Sequence, residues 1–336
     1  MSRYPSNHAR KRLVTAAVAA TLSVAACTPL GSGGSPAATA GGSPAGGTSQ
    51  LTIATGGTGG VYYPLGGGIA EVIRDSVPGY DATVQETNAS VDNMQLIGGG
   101  GADIAFTLAD TAGDAVAGAG DFEGAPVSAC ALGRVYNNST QVVTSSDSGI
   151  ASIEDLRDKV VSLGSPGSGT EIIALRILEA AGIHPDTDID RQQLSIDDTV
   201  AALRDGTIDA GFWSGGLPTG ALTDYATTGD LVLLPTGEYA EAMAAAHGEF
   251  YVADTIPGGT YQGQDEDVST VSVPNLIVVN TNMAEDLQRS ITEAIFENKD
   301  RLVAVHAAAA ALDPETAGDI AFMDVCPGAR AYFDAP

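Results

Sequence analysis

Residues 51–107 and 159–213 repeat one order of elements, and that repeat constrains the fold more than any other feature. In the first copy, strand-like "LTIAT" runs into the glycine-rich "TGGTGGVYYPLGGG", followed by a helical pattern over 64–76. Then come β-like "ATVQET", a turn at "NAS", helical "VDNMQLI" and a short "GADIAFT". In the second copy, "KVVSLG" leads through "SPGSGT" into helical "EIIALRILEAAG", then "RQQLSI", helical "DDTVAALRDG" and "TIDAGFW". Each copy is strand, glycine loop, helix, strand, helix, strand. Strands that alternate with helices predict parallel sheets covered by helices. Two copies predict two similar α/β lobes.

The connections predict how the lobes are joined. Extended segments at 141–149 and 272–280 read as two crossing strands that act as a hinge. Lobe 1 is then 50–143 plus 275–336, and lobe 2 is 144–274. Ser152 and Asp155 predict a capped helix from Ile153, and "AEDLQRSITEAIFENKDRL" a long amphipathic helix. Such a clamshell closes on a ligand. Ligands of open α/β sheets sit beyond the carboxyl ends of the strands, where both glycine loops fall.

The loops suit an anion better than a nucleotide. A phosphate loop of the G-x-x-x-x-G-K-[ST] kind requires a Gly-Lys pair, and the three lysines stand at 11, 159 and 299, none after a glycine. A dinucleotide fingerprint counted from Gly57 puts Tyr62 where its third glycine belongs. Glycine accepts positive φ, so Gly57, Thr58, Gly59, Gly60 and Val61 can turn amides toward a carboxylate at a helix start. Ser165, Gly167, Ser168, Gly169 and Thr170 offer the same in the second copy. The alternative is glycines that only make tight turns. Tyr62, with its neighbour Tyr63, offers a ring wall and a hydroxyl, or packs the core. Asn88 and Ser90 either bond the ligand or cap the next helix. Trp213, the only tryptophan, and Ser214 stand at the end of a second-copy strand and read as pocket wall. Arg176 is a possible partner for an acid, although Glu179 three residues on suits a surface pair. Asp110 and Asp224 are the acids considered for a ligand ammonium.

The first 26 residues read as a signal peptide: Arg3, Arg10, Lys11 and Arg12, then apolar "LVTAAVAATLSVAA". "VAAC" resembles the lipobox of bacterial lipoproteins and predicts lipidation at Cys27. Residues 27–49 then form a Gly/Ser/Pro/Ala tether, and the protein sits outside the cytoplasm, held to the membrane by the lipid alone. A formal net charge of −27 excludes nucleic acid as a partner. In an oxidising compartment Cys130 and Cys326 can form a disulfide or remain two buried thiols. His184, His247 and His306 have no partner at a catalytic spacing, and neither G-x-S-x-G, CxxC nor HExxH occurs. No metal, cofactor or enzymatic activity is therefore expected.

The runs "TGGTGGVYYPLGGGIAEVI", "SDSGIASIEDLRDKVVSLGSPGSGT", "IDAGFWSGGLPTG" and "ADTIPGGTYQGQDEDVSTVSVPNLIVVN" resemble the TAXI family of TRAP transporter solute receptors. The likeness extends from about residue 51 to the end. It implies a two-lobed periplasmic-binding-protein fold of type II topology. It also implies a receptor that captures a small anionic solute, glutamate, glutamine or a related dicarboxylate, for TRAP membrane subunits; a monomer is expected. By that resemblance the first glycine loop, "TNAS", "SPGSG" and the Trp213 loop line the cleft. Where the family carries His-Pro-Gly near its end, this chain has Cys326-Pro-Gly, which favours a bridge to Cys130. A ligand-sensing domain that signals to a membrane partner is the competing expectation.

Overall fold

The computed structural model describes residues 48–228 and 230–335. The signal segment and Cys27 lie outside the described residues. In chain order the elements are β1 (Ser49–Ala54), α1 (Tyr62–Ser76), β2 (Tyr80–Gln85), α2 (Ser90–Gly99), β3 (Ile104–Leu108), α3 (Ala109–Ala117) and β4 (Ala129–Ser145). Then follow β5 (Val160–Ser162), α4 (Gly169–Ala180), β6 (Asp190–Gln192), α5 (Ile196–Arg204), β7 (Ala210–Gly215), α6 (Gly220–Thr228), β8 (Leu231–Leu234), α7 (Ala240–His247) and β9 (Val252–Ile256). The chain ends with β10 (Val268–Asn280), α8 (Glu285–Glu297), α9 (Lys299–Val305) and α10 (Pro327–Phe333).

One ten-stranded sheet runs through the molecule in the order β2-β1-β3-β10-β4-β7-β5-β6, with β8 on β4 and β9 on β10. The repeated unit accounts for its two ends. β1 is parallel to β2 and β3, and β5 is parallel to β6 and β7. The long strands β4 and β10 join these ends and pair antiparallel with each other. The first part of β4, up to Ser139, pairs with β10, and its later part, Ser139–Thr144, pairs with β7. β10 reverses this, pairing with β9 before Pro274 and with β3 after it.

The apolar side chains sort the same way. One cluster gathers Ile53, Ile69, Phe106, Tyr136, Ile277 and Ile295, and another Met94, Ala105 and Leu276. Two further clusters hold Val142, Ile173, Phe212 and Val273, and Val143, Val200, Leu222 and Ile256. Each end of the sheet is thus packed on both faces. The first half of the molecule centres on β1–β3, the second on β5–β7.

Three expectations need correction. The first crossing strand is not confined to 141–149: it begins at Ala129 and ends at Ser145, where a 3-10 turn (Ser146–Ser148) follows. In "RVYNNSTQVV" the consecutive polar residues Asn137 to Gln141 fall on both faces of the strand and break the alternation that would mark it in sequence. The helix expected after Ser152 is a single 3-10 turn, Glu154–Leu156. Asp155 Oδ2 accepts from Ser152 N–H (3.0 Å), but Arg157 leaves helical geometry at ψ 137°. The long C-terminal amphipathic helix breaks at Asn298 into α8 and α9.

Cys130 and Cys326 are joined by a disulfide with Cα atoms 5.0 Å apart. Beside it Ala131 forms a parallel bridge with Val325, so the C-terminal segment lies along β4 in the first half.

Candidate functional site

A cavity of about 110 Å³ opens between the halves, several times the roughly 10–15 Å³ one water needs. Its wall is built from helix starts. Gly57, Gly60, Val61 and Tyr62 come from the first glycine loop and the start of α1. Asn88, Ala89 and Ser90 bring the start of α2. Ser165, Ser168, Gly169 and Thr170 bring the start of α4, and Ser195 and Ile196 the start of α5. First-turn amides have no intrahelical partner, and each helix start carries about half a positive charge. Four such starts meet at one cavity.

The same wall holds no Lys, Arg or His among the described residues, and Glu86, exposed, is its one carboxylate. Trp213, Ser214 and Gly215 at the end of β7 close the second-half side. The Trp213 indole N–H donates to Thr219 Oγ1 (2.9 Å), while the Tyr261 hydroxyl accepts from Thr219 N–H (2.9 Å) and donates to Gln141 Oε1 (2.5 Å). Tyr261 belongs to "TIPGGTYQGQDEDV", so that run supports the tryptophan from behind.

Ala89 has φ +79°, a strained backbone for a residue with a Cβ. Its N–H donates to Thr87 Oγ1 (3.0 Å). Neither Asn88 nor Ser90 caps α2: Asn88 Nδ2 donates to Asp92 Oδ2 (2.9 Å), and Ser90 Oγ accepts from Leu108 N–H (3.2 Å).

Three expected contacts turn elsewhere. Thr58 is exposed and off the cavity. The Gly59 N–H donates to Asp197 Oδ2 (3.1 Å) and its carbonyl accepts from Ala221 N–H (3.2 Å), so Gly59 joins the halves instead of facing the cavity. The Gly167 N–H donates to Glu171 Oε2 (2.9 Å), and its carbonyl accepts from Asp92 N–H (3.4 Å) across the gap. Close approach explains other glycines. A Cβ on Gly60 would lie 3.0 Å from the Trp213 ring, and one on Gly169 would strike Leu108 and Ser90.

The expected acids and bases have partners of their own. Arg176 pairs not with Glu179 but with Asp114 (2.6 Å) and Asp110 (3.5 Å), and also bonds Tyr251. Burial pushes the Asp110 carboxyl up, against the pull of Arg176. Glu179 meets His247 (2.9 Å), and Asp224 meets Arg204 (2.7 Å). His184, His247 and His306 all stand off the cavity wall. Among the described residues no cluster of three His, Cys, Asp or Glu is placed to hold a metal.

Wall residues missed in the sequence include Glu86, Leu108, Ser195 and Ile196, and Tyr136 and Asn138, both on β4. Asn138 belongs to a chain that spans the molecule. The Tyr62 hydroxyl donates to Asn275 Oδ1, Asn275 Nδ2 donates to Asn138 Oδ1, and Asn138 Nδ2 donates to the Ser214 carbonyl (3.0 Å). Tyr62 also stacks on Phe106, with ring centroids 4.9 Å apart. Burial raises the Tyr62 phenol far above its usual range, so it remains a neutral donor. No alternation in the sequence marked Tyr136 and Asn138, because Asn137, Ser139 and Gln141 on the opposite face are polar as well.

Two α/β halves joined by two antiparallel strands, with a cavity between them, define a periplasmic-binding-protein fold. The structure is similar to a ligand-binding component of an ABC-type import system from Staphylococcus aureus, solved with zinc bound, at 13% identity and TM-score 0.50, over 86% of this chain and 99% of that chain. It is also similar to a binding protein component of an ABC phosphonate transporter from Pseudomonas aeruginosa, at 10% identity and TM-score 0.50, over 80% and 81%. A protein of Bordetella bronchiseptica matches at 18% identity and TM-score 0.50, over 83% of each chain. The chain belongs to the NMT1-like family, whose model matches residues 53–334.

Proposed function

We propose that this protein is an extracytoplasmic solute receptor that captures a small anionic solute between its halves and delivers it to membrane transport subunits, without transforming it. The observation that carries the reading is the cavity: four helix starts converge on it, and no basic side chain among the described residues lines it. An anion is then held by backbone amides and hydroxyls, which suits a chain of net charge −27. The ligand-binding residues proposed are Gly57, Gly60, Val61, Tyr62, Asn88, Ser90, Ser165, Ser168, Gly169, Thr170, Trp213 and Ser214, with the solute a glutamate-, glutamine- or dicarboxylate-like molecule. Attachment through Cys27 to the outer face of the membrane belongs to the same proposal. The TAXI-like runs favour TRAP membrane subunits as the partner, although the solved relatives named above include ABC importer components.

The test is calorimetry and thermal melting of the purified protein with glutamate, glutamine, 2-oxoglutarate, succinate and other small carboxylates. Binding raises the melting temperature by mass action. Silence across the whole panel would sink the reading. The partner is tested by uptake into vesicles carrying candidate membrane subunits: an ion gradient drives TRAP uptake, and ATP drives ABC uptake.

A further inference from the structure

The hydroxyls of the cavity wall differ in how they are used. Ser90 Oγ accepts from Leu108 N–H (3.2 Å), Ser168 Oγ from Glu171 N–H (3.1 Å), and Thr170 Oγ1 from Ser214 N–H (3.1 Å). Tyr136 Oη and Ser214 Oγ are buried and have no partner among the described residues. Tyr136 is 5% exposed and Ser214 6%. Buried polar atoms are almost always bonded, so an unbonded pair in one cavity wall needs a reason.

The two hydroxyls come from the two halves. Tyr136 packs in the first-half core on β4, and Ser214 stands at the end of β7. Both line the same cavity of about 110 Å³, and the chain just beyond Ser214 packs against the tyrosine: a Cβ on Gly216 would lie 2.9 Å from the Tyr136 ring. Burial, reinforced by nearby Tyr62, holds the Tyr136 phenol far above its usual range. It is a neutral donor at any physiological pH.

Charge decides what this pair can receive. Among the described residues the cavity wall has no cationic side chain. The helix starts, not side chains, supply the positive charge of the cavity. A carboxylate placed instead against Tyr136 and Ser214, desolvated beside two neutral hydroxyls, would lack a counter-charge there. An amide, hydroxyl or carbonyl meets the same hydroxyls without that cost, and a site built to bond such a group rejects analogues that leave its polar atoms unpaired.

We infer that Tyr136 and Ser214 together read an uncharged polar group of the captured solute, so that the site prefers small monocarboxylates bearing a neutral hydrogen-bonding group over dicarboxylates. This rests on the solute-receptor reading of the same cavity.

The test uses pairs that differ in whether the distal group is charged: glutamine and glutamate, asparagine and aspartate, 4-hydroxybutyrate and succinate. Affinities are measured by calorimetry for the wild type, Tyr136→Phe and Ser214→Ala, and melting is followed without solute. The wild type should bind the neutral-ended member of at least one pair about tenfold more tightly than its charged counterpart. In each variant that ratio should fall to about twofold or less. Without solute both variants should melt at or above the wild-type temperature, because neither loses a hydrogen bond of the protein. A wild type that prefers the charged members or binds none of the six, a ratio that survives in both variants, or a Tyr136→Phe protein that melts well below the wild type would each overturn the inference. A response to the wider carboxylate panel, with the inference so overturned, leaves the receptor reading standing.

Discussion

At the scale of single residues, glycine advertises backbone freedom but not where its amide points. "TGGTGG" and "SPGSG" mark the two loops that meet at the cavity, and most of their residues line it. Gly59 and Gly167 show the limit, since their N–H groups are taken by Asp197 and Glu171. A side chain at Gly59 would run into the Asp197 carboxylate of the other half. Gly59→Val should therefore lower solute affinity about tenfold or more by holding the halves apart, with little change in melting without solute. Asp197→Ala in the same protein should restore most of that affinity. His306 gives a pH-dependent case. Its Nδ1 accepts from Ala308 N–H (3.1 Å), and burial, against a smaller pull from the Pro218 carbonyl, depresses its pKa below 6.5. The unfolded chain then takes up the proton first, so this contribution is present above pH 6.5 and is lost as pH falls through the folded value. Urea titrations between pH 7.5 and 5 should show stability falling toward acid, with a smaller fall in His306→Asn.

At the scale of elements, the repeated unit was legible because its signals are local: apolar runs, glycine loops and helix periodicity. The crossing strands were legible only in part. β4 is a 17-residue strand, and which face of it meets the cavity depends on partners 70 to 140 residues away in sequence. That is why Tyr136 and Asn138 were missed, and why Arg176 was paired with a neighbour on its own helix instead of with Asp110 and Asp114. Asn138 (2% exposed) and Asn275 (0%) are buried polar residues on adjacent strands, and Asn275 Nδ2 donates to Asn138 Oδ1. Asn138→Ala or Asn275→Ala leaves a buried amide unpaired and should cost about 1–3 kcal/mol. The double variant should cost less than the sum of the two, by about 0.5–3 kcal/mol. Equilibrium urea unfolding of the three variants measures both quantities.

At the scale of the whole molecule, the disulfide and the net charge act without touching the cavity. The bridge closes a sequence separation of 196 residues, worth about 5 kcal/mol on the chain-entropy account. Replacing both cysteines by serine should reduce stability by about 2–5 kcal/mol in urea unfolding and leave solute affinity unchanged, since neither cysteine lines the cavity. The charge of −27 repels an approaching anion until the helix starts take hold. Stopped-flow association rates for anionic solutes should therefore rise with salt as the repulsion is screened. The two crossings carry a mechanical consequence. The described chain passes between the halves inside β4 and β10, which are hydrogen-bonded to each other through the crossing at Asn137–Ser139 and Ser272–Pro274. No slack loop is available there to swing. A change in the angle between the halves would fall on the backbone torsions of these paired strands, beside the register shift between Pro274 and Leu276, and not on a swinging loop.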